Sequence, residues 1–158
     1  MSYLVDGNNV MGQRVGWHTD KPRARRRLMD ELALLARENH LSIDVVFDGA
    51  PEEHFEDGAK YRGIRLFYAE RGSNADERIK RMVEKSRERQ TLFVVTSDRA
   101  LADYVRRCGS KVIRSGEFRK RLDECAKSRT DREPNEPSIK GEFNEWMRYF
   151  GVAPEDES

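Results

Sequence analysis

Short apolar runs alternate along the chain with longer stretches whose apolar residues recur every three or four positions. The first run, Leu4-Val5, stops abruptly in Asp6-Gly7-Asn8-Asn9, as a buried strand does where it meets a turn. Ile43-Asp44-Val45-Val46-Phe47 repeats the design and ends in Asp48-Gly49-Ala50-Pro51. Ile64-Arg65-Leu66-Phe67-Tyr68-Ala69 is a third run, and Thr91-Leu92-Phe93-Val94-Val95-Thr96, which ends in Ser97-Asp98, is the clearest buried strand. Lys111-Val112-Ile113-Arg114 is a shorter fifth.

Helical spacing fills the intervals. Pro22 suits the first turn of a helix running to about His40, with Leu28, Leu32, Leu35 and Ala36 on one stripe. Asn74, with Glu77 three places on, predicts an N-cap for a helix reaching to about Arg89 and burying Ile79, Met82 and Val83. Residues 99–108 turn Leu101, Ala102 and Val105 inward before Gly109, a good C-cap. Ser115 caps a helix carrying Phe118 and Leu122. Residues 10–20, with Gly12, Gly16 and Trp17, read as a loop. Residues 49–63 read as a mobile loop over the sheet edge, too short for a helical crossover.

Strands alternating with helices define an α/β class with a mainly parallel five-stranded sheet covered on both faces. Residues 1–126 are expected to form one domain, with neither an internal repeat nor a second domain. Residues 127–137 hold no anchoring apolar side chain and read as a polar linker or loop. In residues 138–150, Ile139, Phe143, Trp146, Met147 and Phe150 fall on one helical stripe, expected to dock back on the same domain, and 151–158 form an acidic tail.

Composition narrows the function classes. At 158 residues, 37% hydrophobic and 37% charged, the chain suits one heavily solvated domain. It has no apolar stretch of membrane-spanning length and no basic-then-apolar leader, so a cytoplasmic location is expected. Cys108 and Cys125 follow no metal-ligand spacing, and His18, His40 and His54 are scattered, which argues against zinc and a disulfide framework. The net charge of +1 conceals basic blocks at Lys21, Arg23, Arg25, Arg26 and Arg27, and at Arg119, Lys120 and Arg121. Such blocks suit a polyanion, and equally a solvated helix face.

The acids at the strand ends carry the candidate chemistry. Each has an ordinary alternative: Asp6-Gly7 a hairpin turn, Asp48 a tight turn before Pro51, Asp76 and Glu77 the positive end of a helix dipole, Asp98 an N-cap. Together they say more. In a parallel sheet all strand C-termini share one edge, so Asp6, Asp48 and Asp98 meet there, and the helix starting near Asn74 brings Asp76. Four like charges in one cleft repel unless cations bind, and an oxygen-only donor set favours Mg²⁺ or Mn²⁺, as one or two ions. Such ions lower the pKa of a bound water and neutralise charge building on a cleaved phosphodiester. Asn8, Asn9, Thr96 and Ser97 stand where they would orient those ligands, and Arg99 where it would touch a phosphate. A phosphoacceptor of the response-regulator type needs a lysine at the last strand's end, where this chain has Arg114-Ser115-Gly116. A dehalogenase-type phosphatase wants an aspartate at position 8, which is Asn8.

The stretches Val5-Asp6-Gly7-Asn8-Asn9-Val10-Met11-Gly12, Val45-Val46-Phe47-Asp48, Ala75-Asp76-Glu77-Arg78-Ile79 and Thr96-Ser97-Asp98 resemble, in order, the motifs of YacP-like NYN domains, within the PIN/FLAP-like nuclease group. The resemblance covers roughly residues 3–125 and continues more weakly beyond. It implies a PIN-like three-layer α/β/α fold and a metal-dependent endoribonuclease, expected in mRNA decay or RNA processing. It carries metal binding and catalysis onto Asp6, Asp76 and Asp98, with Asp48 a fourth, directly or through water. Asn9 matches the amide after the first aspartate and Glu77 the acid after the helix aspartate. Asn8 departs from relatives that often carry an aromatic residue there. RNA is the expected partner, and the ribosome or an RNA-decay complex is a further candidate, with presentation of the substrate by a partner left open. Asn8, Arg23, Arg25, Arg26, Arg62, Arg71, Arg99 and Arg119 are the candidate RNA contacts, with Arg65 and Arg121 beside them. A catalytically inactive RNA-binding or ribosome-associated module of the same fold is the rival reading.

Overall fold

The structure, a computed structural model, describes residues 2–49, 51, 55–69 and 73–132. The chain runs β1 (Ser2–Asp6), α1 (Gly7–Met11), α2 (Lys21–Asn39), β2 (Ser42–Phe47), β3 (Lys60–Tyr61), β4 (Ile64–Tyr68), α3 (Ala75–Lys85), β5 (Leu92–Val95), α4 (Arg99–Arg107), β6 (Lys111–Ile113) and α5 (Ser115–Arg132). The strands form one sheet in the order β3-β4-β2-β1-β5-β6, parallel throughout except for β3. β1 is central because its apolar run can be covered on both faces, and Val5 sits level with Val45 on one side and Val95 on the other.

On one face, Ile79 and Val83 of α3 and Leu101 and Val105 of α4 pack on Leu4, Val46 and Val94. Alternation turns Tyr3 to the opposite face, where it meets Phe118 of α5 at 6.2 Å between ring centres. Leu28, Met29 and Leu32 bury the inner stripe of α2. Local chemistry fixes the helix ends. Asp20 accepts from Arg23 N at 3.2 Å beside Pro22, and His40 takes the left-handed conformation (φ 55°) that closes α2.

Several expectations are corrected. Residues 7–11, read as a strand end running into a loop, make the helical turn α1, drawn in by burial of Val10 and Met11; one turn is too short to show a period. The loop expected over 49–63 contributes a sixth strand. Arg62 (φ 48°) and Gly63 (φ 96°) form a two-residue hairpin joining β3 to β4, a turn that ordinarily advertises itself as Asn-Gly. α3 ends at Lys85, where Ser86 turns extended, and a 3-10 turn over Arg89–Thr91 leads into β5. α5 continues to Arg132, into the stretch read as a linker from residue 127. Extending a helix already nucleated on the core costs far less than starting one, so this stretch needs no apolar anchor of its own. Met1–Leu122 form one compact unit, and the described part of the remainder is the end of α5. The rest of the expected linker, the 138–150 stripe and the acidic tail lie outside the described residues.

Candidate active site

β1 ends where the chain changes direction across the sheet: its next strand, β2, is added on one side, and after β4 the chain returns to place β5 on the other. Open α/β sheets place their ligands at such a switch point, beyond the strand C-termini. Asp6 ends β1 and is 4% exposed. Asp48 follows β2, Asp98 caps α4 directly after β5, and Asp76 lies in the first turn of α3 behind its cap Asn74.

The four acids sense one another. Burial pushes the Asp6 carboxyl up to about 7, repulsion from Asp76 and Asp48 adding to it, while the Asn9 N–H and the Thr96 hydroxyl oppose. Burial also raises Asp76, followed by the charge of Asp98, a hydrogen bond with Asp98 and the charge of Asp48; Lys80 opposes. Asp48 and Asp98 each commit one oxygen to the backbone, to Ala75 N at 2.8 Å and Leu101 N at 2.9 Å. Among the described residues none of the four forms a salt bridge.

The residues after Asp6 strap the strand tips together. Asn8 Oδ1 accepts from Asp48 N at 2.9 Å, tying β2 to β1. Asn9 Oδ1 accepts from Ser97 N at 2.8 Å and from the Ser115 hydroxyl, tying in the ends of β5 and β6. Ser97 Oγ in turn accepts from Ser115 N at 3.0 Å. Thr96 Oγ1 donates to Asp6 at 3.3 Å and accepts from Asp98 N at 3.1 Å, linking two of the acids. Gly7 is required for this close approach: a Cβ there would lie 2.6 Å from the Phe47 ring.

Other expected site residues fall elsewhere. The Glu77 carboxylate pairs with Lys80 at 3.4 Å, and its backbone N–H is capped by Asn74. Asn8, expected to contact RNA, spends its carbonyl oxygen on the strap. Arg62 sits on the β3–β4 hairpin at the N-terminal end of β4, the sheet edge opposite the acids, and Arg65 pairs there with Asp44. Arg119 is buried and pairs with Glu31 at 2.8 Å, and Arg121 pairs with Glu117. Arg26 lies over Phe55, 4.6 Å from the ring centre, and Arg23 faces a cavity beside α2. Arg71 lies outside the described residues. Arg25 and Arg99 do border the acids. Arg25 donates to the Asp48 carbonyl and lies over Phe47 and Tyr68, and Arg99 shares a groove with Ser97, Arg106 and Arg114.

One residue without a sequence signal completes the frame. Asp57 receives Tyr68 N at 2.9 Å and both terminal nitrogens of Arg78 at 3.1 Å, fixing the start of α3 to the end of β4. Burial raises the Asp57 carboxyl, but the hydrogen bonds from Arg78 and Tyr68 and the charge of Arg78 leave it below the ordinary value.

The donor set suits a hard divalent cation: oxygens only, partly desolvated, mutually repelling and, among the described residues, in no ion pair with an arginine. Among the described residues no three acidic, histidine or cysteine side chains stand close enough to form a ready-made metal cage.

A parallel sheet with an antiparallel edge, helices on both faces and acids at the switch point define a PIN-like NYN fold. The family model of the YacP-like NYN domain matches residues 3–147, and the chain belongs to that family. Among solved structures it is similar to a tryptophan-to-leucine mutant of Rae1 (YacP) from Bacillus subtilis, with a TM-score of 0.69 and 20% identity over 85% of this chain and 81% of that one. A second Rae1 (YacP) structure from Bacillus subtilis gives a TM-score of 0.65 and 21% identity over 84% and 79%. No curated protein matches the sequence. Among the described residues no helix is long and apolar enough to cross a membrane.

Proposed function

We propose that the protein is a metal-dependent endoribonuclease that hydrolyses RNA phosphodiester bonds at the edge formed by Asp6, Asp48, Asp76 and Asp98. The observation that carries this reading is the gathering of four mutually repelling carboxylates at the switch point of an NYN fold. Mg²⁺ or Mn²⁺ held by these four residues supplies, when bound, an acidified water and a counter-charge for the phosphate. The chain's own groups arrange the rest. The Asn9 N–H and Thr96 hydroxyl orient Asp6, and the Asn8 and Asn9 straps hold the Asp48 and Asp98 backbones beside it. Arg25 and Arg99, on opposite flanks, offer positive charge to an approaching backbone, a contact that is blind to sequence and sensitive to salt. RNA rather than DNA rests on the family alone, and a cytoplasmic setting, a role in mRNA decay or RNA processing, and the ribosome or a decay complex as a further partner are part of this proposal.

Purified protein incubated with single-stranded and structured RNA tests this. Cleavage is expected with Mn²⁺ and absent with chelator. Asp6→Asn should lose more than the roughly 10- to 100-fold typical of removing an outer partner of a metal ligand. Equal turnover in every condition would mean a contaminating nuclease and would remove the assignment. The absence of a ready-made cage among the described residues favours one rival, an RNA-binding module without catalysis. For such a module, chelator and Asp98→Asn leave RNA affinity and biological effect unchanged.

A further inference from the structure

A cavity of about 310 Å³ opens between α2, residues 14–20 and α5, lined by Trp17, Arg23, Ala24, Arg27, Glu31 and Arg119 among others. We propose that it receives one unstacked nucleotide of the RNA strand, its base against the Trp17 indole and its flanking phosphates against Arg23 and Arg27. The proposal rests on the ribonuclease reading and adds a second point of grip to it.

The lining comes from one face of α2, since positions 23, 24, 27 and 31 recur at helical spacing, and the small Ala24 leaves the space open. The floor is neutralised against an incoming anion: Glu31 accepts from Arg14 at 2.6 Å and from Arg119 at 2.8 Å. Arg23 and Arg27 are exposed at the rim, and among the described residues neither guanidinium enters an ion pair. Trp17, half-buried, opens a 3-10 turn set by left-handed Gly16 (φ 81°), with Lys21 Nζ 5.8 Å from its ring centre. An aromatic face beside paired guanidiniums matches a base and its phosphates, and the volume lies at the small end of ligand sites. Met11, the last residue of α1, also lines the cavity. α1 starts next to Asp6, and five helical residues span about 7.5 Å, so a strand crossing the acids reaches the cavity within a few nucleotides.

The test uses Asp98→Asn protein, because asparagine also caps a helix and the substitution removes a cleavage carboxylate. Binding of labelled single-stranded oligoribonucleotides is read by fluorescence anisotropy, and circular dichroism checks each variant's fold. Adding Trp17→Ala should weaken binding roughly 5- to 100-fold, the range of one lost base–aromatic stack, and Trp17→Tyr should restore most of it. Adding Arg23→Gln with Arg27→Gln should flatten the salt dependence of log K by about 0.7 per lost phosphate contact. An abasic residue at one position of the oligonucleotide should cost as much as Trp17→Ala and add nothing to it. Unchanged affinity in the Trp17 and arginine variants, or equal losses at every abasic position, overturns the proposal. So does a nucleoside monophosphate that quenches Trp17 at the same concentration as the oligonucleotide, which would mark a free-nucleotide site. Mn²⁺-dependent cleavage by the unaltered protein, and its loss in Asp98→Asn, is scored separately, so the nuclease reading stands or falls without Trp17.

Discussion

At the scale of single residues, the charge on Asp6 sets the first expectation. Its carboxyl titrates near 7 in the folded protein and near 3.8 in the unfolded chain, so the folded state holds the extra proton between those values. Without metal, stability therefore falls as pH rises from about 4 to 7 and then levels off. Asp76, also raised, acts in the same direction. Asp57, lowered by Arg78, acts oppositely and below that window, its contribution lost on acidification. Thermal unfolding in chelator from pH 4 to 8 reads the slope, and Asp6→Asn should reduce it and raise Tm at pH 8. Asn9→Ala removes the acceptor for Ser97 N and the Ser115 hydroxyl and should cost about 1–3 kcal/mol by urea titration. Asn9→Asp keeps the acceptor, adds a fifth acid, and should tighten Mn²⁺ binding while losing less stability. Asp6, Asp48 and Asp98 were legible in the sequence because an apolar run ending in or just before a carboxylate marks a strand tip, and Asp76 because Asn74 marks the start of its helix. The straps were not: an amide after a strand looks the same whether it faces solvent, RNA or another strand.

At the scale of elements, the packing of α1 on β2 is the sharpest constraint. Gly7→Ala would set a methyl 2.6 Å from the fully buried Phe47 ring, beside Asp48. The overpacking should cost about 1–3 kcal/mol in urea unfolding and weaken Mn²⁺ binding as well, because Phe47 cannot move without carrying Asp48 along. Phe118→Ala tests the opposite face: loss of that ring from beneath Tyr3 should cost about 3–5 kcal/mol and leave the acids in place. Strands and long helices were legible from their periods, and α3 and α4 from their caps. The one-turn α1 and the two-residue β3 carry no period, and Arg62 in a left-handed turn disguises a hairpin. Basic clusters were the least legible. Arg119 and Arg121 are neighbours in sequence, yet the helix turns one into a buried pair with Glu31 and the other toward Glu117. Charge along a chain shows no direction until helices are packed.

At the scale of the whole molecule, a cation that binds only the folded centre would add its binding free energy to that of folding. Mn²⁺ at 100 times its Kd should add about 2.7 kcal/mol to stability, seen as a rise in Tm that Asp6→Asn with Asp98→Asn abolishes. A Tm indifferent to Mn²⁺ would leave the acids without a cation to gather. The fold class was legible because alternating strands and helices admit few arrangements. Sheet order was not, since nothing in the sequence says that β5 returns beside β1. That return has a consequence for synthesis. The acids span residues 6 to 98, and the hydroxyl fastening Asn9 belongs to Ser115. A nascent chain still tethered to the ribosome short of that serine carries every early carboxylate and no finished centre. The centre is therefore completed late, by a hydrogen bond that only a chain extended past β6 can make.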